Sequence, residues 1–227
     1  MKPDIVIALD VANQHELHAT LSRLPDEISW YKIGLELFCA EGPELLKPLQ
    51  NKGKNIFLDL KLHDIPRTVE KAVASVMQHR VQLLTIHASG GKDMMRAAAD
   101  AAKNSGTQLL AVTVLTSLDA ENLSSLGIAR SPADQALALA EMAHASGIDG
   151  VVCSVHEAAR IRAALGPDAL IVTPGIRMPN DSLGDQKRTA TPAEAQRAGA
   201  THLVIGRPIL AAADPARAYH EIVASLN

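Results

Sequence analysis

Apolar residues in this chain gather in short, nearly continuous runs, and between the runs they recur at helical spacing. The runs are DIVIALD (4–10), WYKIGL (30–35), NIFLDLK (55–61), LLTIHA (83–88), QLLAVTVL (108–115), GVVCSV (150–155), LIVTPGI (170–176) and HLVIGRP (202–208). Continuity rather than alternation predicts parallel strands covered on both faces. The intervening helices carry their own punctuation. One opens on Pro66, one is capped by Ser131 and ends at Gly147, and one runs from Thr191 to Gly199. Eight strand–helix rounds in 227 residues are close to the usual length of a closed (β/α)8 TIM barrel, which is favoured over an open doubly wound sheet. No Pro-, Gly- or Ser-rich linker divides the chain, so residues 1–227 are expected to form a single barrel domain. The long irregular loops are expected at 116–130 and 177–190.

A barrel of this kind builds its site where the strands end at the C-terminal face, and those ends are polar here. Strand one ends at Asp10, strand two carries Lys32, and strand three ends with Asp59 and Lys61. His87 ends strand four, Thr113 and Thr116 follow strand five, Arg177 follows strand seven, and Gly206 and Arg207 follow strand eight. These groups converge on one mouth.

Composition narrows the chemistry. Hydrophobic residues make up 47%, enough for a sizeable core, while a net charge of -3 with both signs scattered argues against a phosphate-backbone or membrane-surface binder. Aromatics at 2% remove the stacking platform that single-stranded nucleic acid needs. No run approaches the ~20 apolar residues of a membrane span, and the N-terminus has no export signal. Cys39 and Cys153 match no metal spacing and lie in apolar stretches, which reads as two buried, reduced thiols in a cytoplasmic protein.

Asp59 and Lys61, two apart on a strand, leave on the same face. A structural ion-pair network closing the barrel is one reading. The chemical reading is a lysine kept protonated by flanking carboxylates and placed to deliver its proton. At the far side of the mouth, IGRP (205–208), TPGIR (173–177) and Gln186, Lys187 and Arg188 fit the barrel habit of gripping phosphate with the loops after strands seven and eight. Gly206 admits close backbone approach and Arg207 offers a forked donor.

With these residues in view, FLDLKLHDIPRTV, ALD at 8–10, YKIGLELF at 31–38, TVLTSL at 113–118, VTPGIR at 172–177, GDQKR at 184–188 and IGRP resemble the bacterial orotidine 5′-phosphate decarboxylase family in order along the chain. The resemblance implies loss of CO2 from orotidine 5′-phosphate to give UMP, the last step of de novo pyrimidine synthesis, with no cofactor and no metal. It implies Lys61 as proton donor to C6 and Asp59 beside the substrate carboxylate. Lys32 and Asp10 would hold the ribose, and Thr116 the pyrimidine edge. Arg177, Gln186, Gly206 and Arg207 would clamp the phosphate. It also implies a homodimer in which Asp64 and Thr68 serve the neighbouring subunit's site.

Two rivals share parts of this pattern. A magnesium-dependent sugar-phosphate lyase or decarboxylase would need a carboxylate pair, with Glu36 as a candidate; a non-catalytic nucleotide-phosphate module would have no use for Asp59, Lys61 and Asp64 together. His63 reads as a loop or interface residue and His87 as either a pocket or a structural histidine. Met94 and Met95 read as packing groups, and Ser89, Gly90 and Gly91 as the turn after strand four.

Overall fold

Eight parallel strands close on themselves in chain order: β1 (Asp4–Ala8), β2 (Trp30–Gly34), β3 (Asn55–Leu62), β4 (Leu83–His87), β5 (Gln108–Val112), β6 (Gly150–Val152), β7 (Leu170–Thr173) and β8 (His202–Ile205). β8 pairs back onto β1 through Asp4 to Ile7, which completes the (β/α)8 barrel. The structure is a computed structural model and describes residues 2–179 and 188–226; Gln186 and Lys187 therefore lie outside the described residues.

Period two along each strand sorts the side chains into two cores. Val6, Ala8, Phe57, Leu83, Leu110, Val172 and Val204 pack inside the barrel, while Ile7, Ile33, Leu58, Leu84, Leu109 and their alternates face the helices. The inner cluster fills only the lower barrel. Continuing its phase upward leads from Ala8 to Asp10, from Phe57 to Asp59 and from Leu83 to Thr85, so the apolar plug itself dictates which residues reach the mouth.

The helices follow their predicted signals. Pro66 opens the helix Pro66–Met77, the Ser131 hydroxyl accepts the Asp134 amide at 3.1 Å to cap Pro132–His144, and Thr191 and Glu194 form a capping box for Pro192–Arg197. Strands β5 to β8 stop short of their expected ends because the chain leaves the ladder for other duties. Ser154 caps the helix Val155–Leu165, Pro174 has no N–H to give, and Arg207 already opens a helical turn, Arg207–Leu210. The stretch 116–130 was expected to be irregular, but it contains a short helix, Ala120–Ser125, capped reciprocally by Asp119 and Asn122. Cys39 also departs from expectation: it is exposed on the helix Leu35–Glu41, since Leu37 takes the core-facing position and a residue two further on lies across the helix. Cys153 is buried as expected.

β6 is held close to β7. A Cβ on Gly150 would stand 2.3 Å from the Leu170 carbonyl oxygen and 2.5 Å from the Leu170 Cβ. Backbone in a closed barrel cannot step aside without moving the next strand. Gly150→Ala is expected to lower unfolding free energy by at least about 1–3 kcal/mol in urea titrations; wild-type stability in this variant would show that β6 and β7 are not locked together.

Candidate active site

Four charged side chains from the adjacent strands β2 and β3 and from just beyond the end of β1 meet at the mouth. Lys32 donates to Asp10 Oδ1 at 2.9 Å and lies 3.8 Å from Asp59 Oδ2, and Lys61 donates to the same Asp59 oxygen at 2.7 Å. The other Asp59 oxygen accepts the Thr85 hydroxyl at 2.9 Å. Two ammoniums thus offset two carboxylates, and Asp59, 8% exposed, is satisfied on both oxygens. Backbone geometry prepares this arrangement. Leu58 pairs with Leu84 and Leu62 with Ile86, so Asp59, Leu60 and Lys61 together stand opposite Thr85 alone in a bulge, where Lys61 takes φ 50°. Gly34 leaves the room that the lysine needs, since a Cβ there would come within 3.1 Å of Lys32 Nζ.

The quartet forms one wall of a cavity of about 350 Å³ whose floor is the inner plug, with Ala8, Phe57, Val112, Val152 and Val204. Thr116 and Ser117 line it from the β5 side, and Arg177, Gly206 and Arg207 from β7 and β8. Arg177 is 8% exposed; its backbone N–H donates to the Ala190 carbonyl at 2.9 Å, and its guanidinium donates to the Ile176 carbonyl at 2.8 Å. The cavity is therefore bipolar. It has a lysine–carboxylate array on β1 to β3 and guanidiniums on the β7 and β8 loops, with an apolar base and hydroxyls between.

Of the residues singled out from the sequence, Asp10, Lys32, Asp59, Lys61, Thr116, Arg177, Gly206 and Arg207 share this cavity. Asp64 and Thr68 do not line it. Both are exposed at the start of the helix that follows β3, and Asp64 accepts the Ile65 amide at 2.7 Å. Gln186 lies outside the described residues. Three expectations need correction. Arg188 is not free for phosphate: it pairs with buried Glu157 and donates to the carbonyls of Val114 and Leu115 at 3.3 and 3.1 Å, clasping the β5 loop to the helix after β6. Thr113 is buried, with its hydroxyl given to the Val152 carbonyl at 2.9 Å, because the ladder between β5 and β6 runs one rung beyond the strand. Glu36, the candidate metal ligand of the rival reading, is exposed on its helix and does not line the cavity.

Two elements of the site escaped sequence reasoning. Thr85 is fully buried, and its signal was its phase: it lies two residues beyond the inward Leu83 on the strand beside Asp59. Cys153 lines the cavity as an inert thiol, since burial and then the Glu157 charge push its pKa far up. His63 and His87 face each other with ring centroids 5.4 Å apart, behind Lys61 rather than in the cavity. Met94 and Met95 are fully buried packing groups.

Comparison with known proteins is in keeping with this geometry. Residues 3–222 match the family described as "Orotidine 5'-phosphate decarboxylase / HUMPS family". Proteins named orotidine 5'-phosphate decarboxylase from Pectobacterium carotovorum subsp. carotovorum (strain PC1) and Thermosynechococcus vestitus are 48% and 47% identical; the alignments cover 98% of this chain and 91% and 95% of theirs. The crystal structure of orotidine 5'-phosphate decarboxylase from Lactobacillus acidophilus superposes with a TM-score of 0.87 at 40% identity, covering all of both chains.

The histidine pair gives a direct check on the charge of Lys61. Burial, then His63, then Lys61 hold the His87 pKa below its ordinary value, against a smaller upward pull from Asp59. His87 is thus neutral at pH 7. As pH falls through 6.5, the unfolded chain protonates before the folded one, so this group's contribution to stability falls from there downward. In Lys61→Ala the His87 midpoint, followed by its ring-proton NMR shift, is expected to rise; an unchanged or lower midpoint would mean that Lys61 is not a charged neighbour.

Proposed function

The chain belongs to the orotidine 5′-phosphate decarboxylase / HUMPS family, and from that premise we propose that it converts orotidine 5′-phosphate to UMP and CO2 without a cofactor, the last step of de novo pyrimidine synthesis in the cytoplasm. The observation that carries the reading is the bipolar cavity, which suits a ligand with a phosphate at one end and a reacting carboxylate at the other. Arg177 and Arg207 grip the phosphate with the Gly206 backbone and with Gln186. That grip supplies remote binding energy which is realised at the reacting carbon. Lys32 and Asp10 hold the ribose hydroxyls, and Thr116 meets the pyrimidine edge.

The reaction breaks the bond between C6 and the carboxyl carbon. Its electron pair stays on C6, where no adjacent group delocalises it, so fixed positive charge must stabilise it. Lys61, anchored 2.7 Å from Asp59, then gives a proton from Nζ to C6 and is left as a neutral amine to be reprotonated from solvent. Asp59 stands beside the substrate carboxylate. Their like charges raise the bound ground state, and the repulsion is relieved as CO2 leaves.

The site is completed across a homodimer. Asp64 and Thr68 lie outside their own chain's cavity, on an exposed turn whose Ile65 is 68% exposed, and the partner subunit's Asp64 and Thr68 reach the ribose. Among the described residues no helix is long and apolar enough to cross a membrane. The partners are the substrate, the product and a second copy of the chain, with no nucleic acid.

Loss of the orotate chromophore in excess EDTA tests the reaction. Wild type is expected to turn over fully, and Lys61→Ala, with an unchanged circular dichroism spectrum, to lose about 100-fold or more in kcat. Turnover that needs added Mg2+ would favour a metal-using relative; binding of the nucleotide without turnover would leave a binding module. More than about a tenth of wild-type kcat in Lys61→Ala would remove that residue as the donor.

Sharing of sites has its own test. Lys61→Ala and Asp64→Ala homodimers are each expected to be nearly inactive, while a hybrid puts both lesions in one site and leaves the other whole. Random reassortment should restore about a quarter of wild-type activity per total site, because half the dimers are hybrids with one good site of two. An inactive mixture with hybrids confirmed by mass spectrometry would show that Asp64 serves its own chain.

A further inference from the structure

The bulge in β3 poses a question that the reaction alone does not answer: what holds Lys61, a non-glycine residue at φ 50°, in a conformation costing of order 1–3 kcal/mol? In a regular ladder its N–H would donate to a carbonyl of the next strand. Here three residues of β3 face one of β4, and the Lys61 N–H donates instead to the Thr85 side-chain oxygen at 2.9 Å. That same hydroxyl has a single proton, and it gives it to Asp59 Oδ1 at 2.9 Å. Asp59 Oδ2 in turn accepts from Lys61 Nζ at 2.7 Å. A closed ring results, running from the Lys61 main chain through Thr85 and Asp59 back to the Lys61 ammonium.

We infer that Thr85 is a positioning residue that sets the aim of the proton donor, acting on both ends of Lys61 at once while touching no substrate. The inference rests on the reaction proposed above. Thr85 is 0% exposed and is not among the residues lining the cavity, so it acts only through its two partners. Its hydroxyl uses one donor and one acceptor site with no rotational freedom left, because reversing the proton would put two donors, the Lys61 N–H and the hydroxyl, against each other and leave Asp59 Oδ1 unpaired. Valine at this position keeps the shape and loses the ring. Serine keeps the ring.

The test compares Thr85→Val and Thr85→Ser in kcat, in the dissociation constant for UMP and in melting temperature. UMP has no carboxylate and needs no proton, so its binding reports the cavity without the aim of Lys61. For Thr85→Val, kcat is expected to fall about 10- to 100-fold, the scale of a lost hydrogen bond to a charged group, with UMP affinity within about twofold of wild type. Thr85→Ser should recover kcat to within about threefold. Should the valine variant fail to fold, Thr85→Ala carries the same comparison. Wild-type kcat in Thr85→Val would overturn the inference, as would UMP affinity falling in proportion to kcat, or a serine variant as slow as the valine one. A wild-type chain that does not turn over orotidine 5′-phosphate would overturn the proposed function and this inference with it, whereas the other failures leave the function standing.

Discussion

The carboxylate of Asp59 accepts from the side chains of Lys61 on its own strand and Thr85 on β4, and it lies within ion-pair distance of Lys32 on β2, which in turn binds Asp10 beyond β1. Four neighbouring strands are tied at their ends by this one group and its partners. The cost is considerable. Removing an ion from water costs several kcal/mol even after relaxation, and the attraction between partners near a protein surface is worth about 4 kcal/mol at 4 Å, so such an array roughly offsets itself and adds little to stability. Its value lies in chemistry. In the proposed reaction, with two positive and two negative groups held at the strand ends, an arriving carboxylate would meet one negative neighbour that cannot move away and two positive ones that can stabilise the carbanion left behind.

The lower barrel makes this possible. Phe57, Val172, Val204 and their neighbours fill the interior beneath the quartet, so the charged groups rest on an apolar floor. A low local dielectric strengthens the fields at the reacting carbon. The guanidiniums of Arg177 and Arg207 come from the loops after β7 and β8, and in the closed barrel β8 borders β1, which brings the proposed phosphate grip round to the strand that leads to Asp10. The Glu157–Arg188 pair holds the β5 loop to the helix after β6 and so steadies the wall that presents Thr116. Arg188 is an architectural residue lying close in sequence to Gln186 of the proposed phosphate grip.

The barrel was legible because eight continuous apolar runs demand cover on both faces, and the mouth was legible because period two carries Phe57 to Asp59 and Lys61. Thr85 was not. A threonine in LLTIHA is an ordinary strand residue, and its importance comes from a two-residue bulge in the neighbouring strand that no local pattern announces. Arg188 was misread for a related reason: a basic residue in a phosphate-type loop has the same composition whether it faces the ligand or a buried glutamate, and Glu157 stands 31 positions earlier in the chain. Cys39 was misplaced because an apolar stretch that becomes a short amphipathic helix still has an outer face. Strand ends at the mouth were overextended because each apolar run continues into residues such as Ser154, Pro174 and Arg207, which leave the ladder to cap or open a helix or, for Pro174, have no N–H to give.

In the proposed reaction one end of the cavity handles the reacting carbon, at which Lys61 is aimed, and the other end the phosphate. A crystal structure of the complex with UMP measures this directly. C6 of the pyrimidine is expected about 3–3.5 Å from Lys61 Nζ, a near-attack separation, with the phosphate oxygens within hydrogen-bond distance of the Arg207 guanidinium. UMP bound with its phosphate against Lys32 and Lys61, or with C6 turned away from Lys61 Nζ, would contradict it.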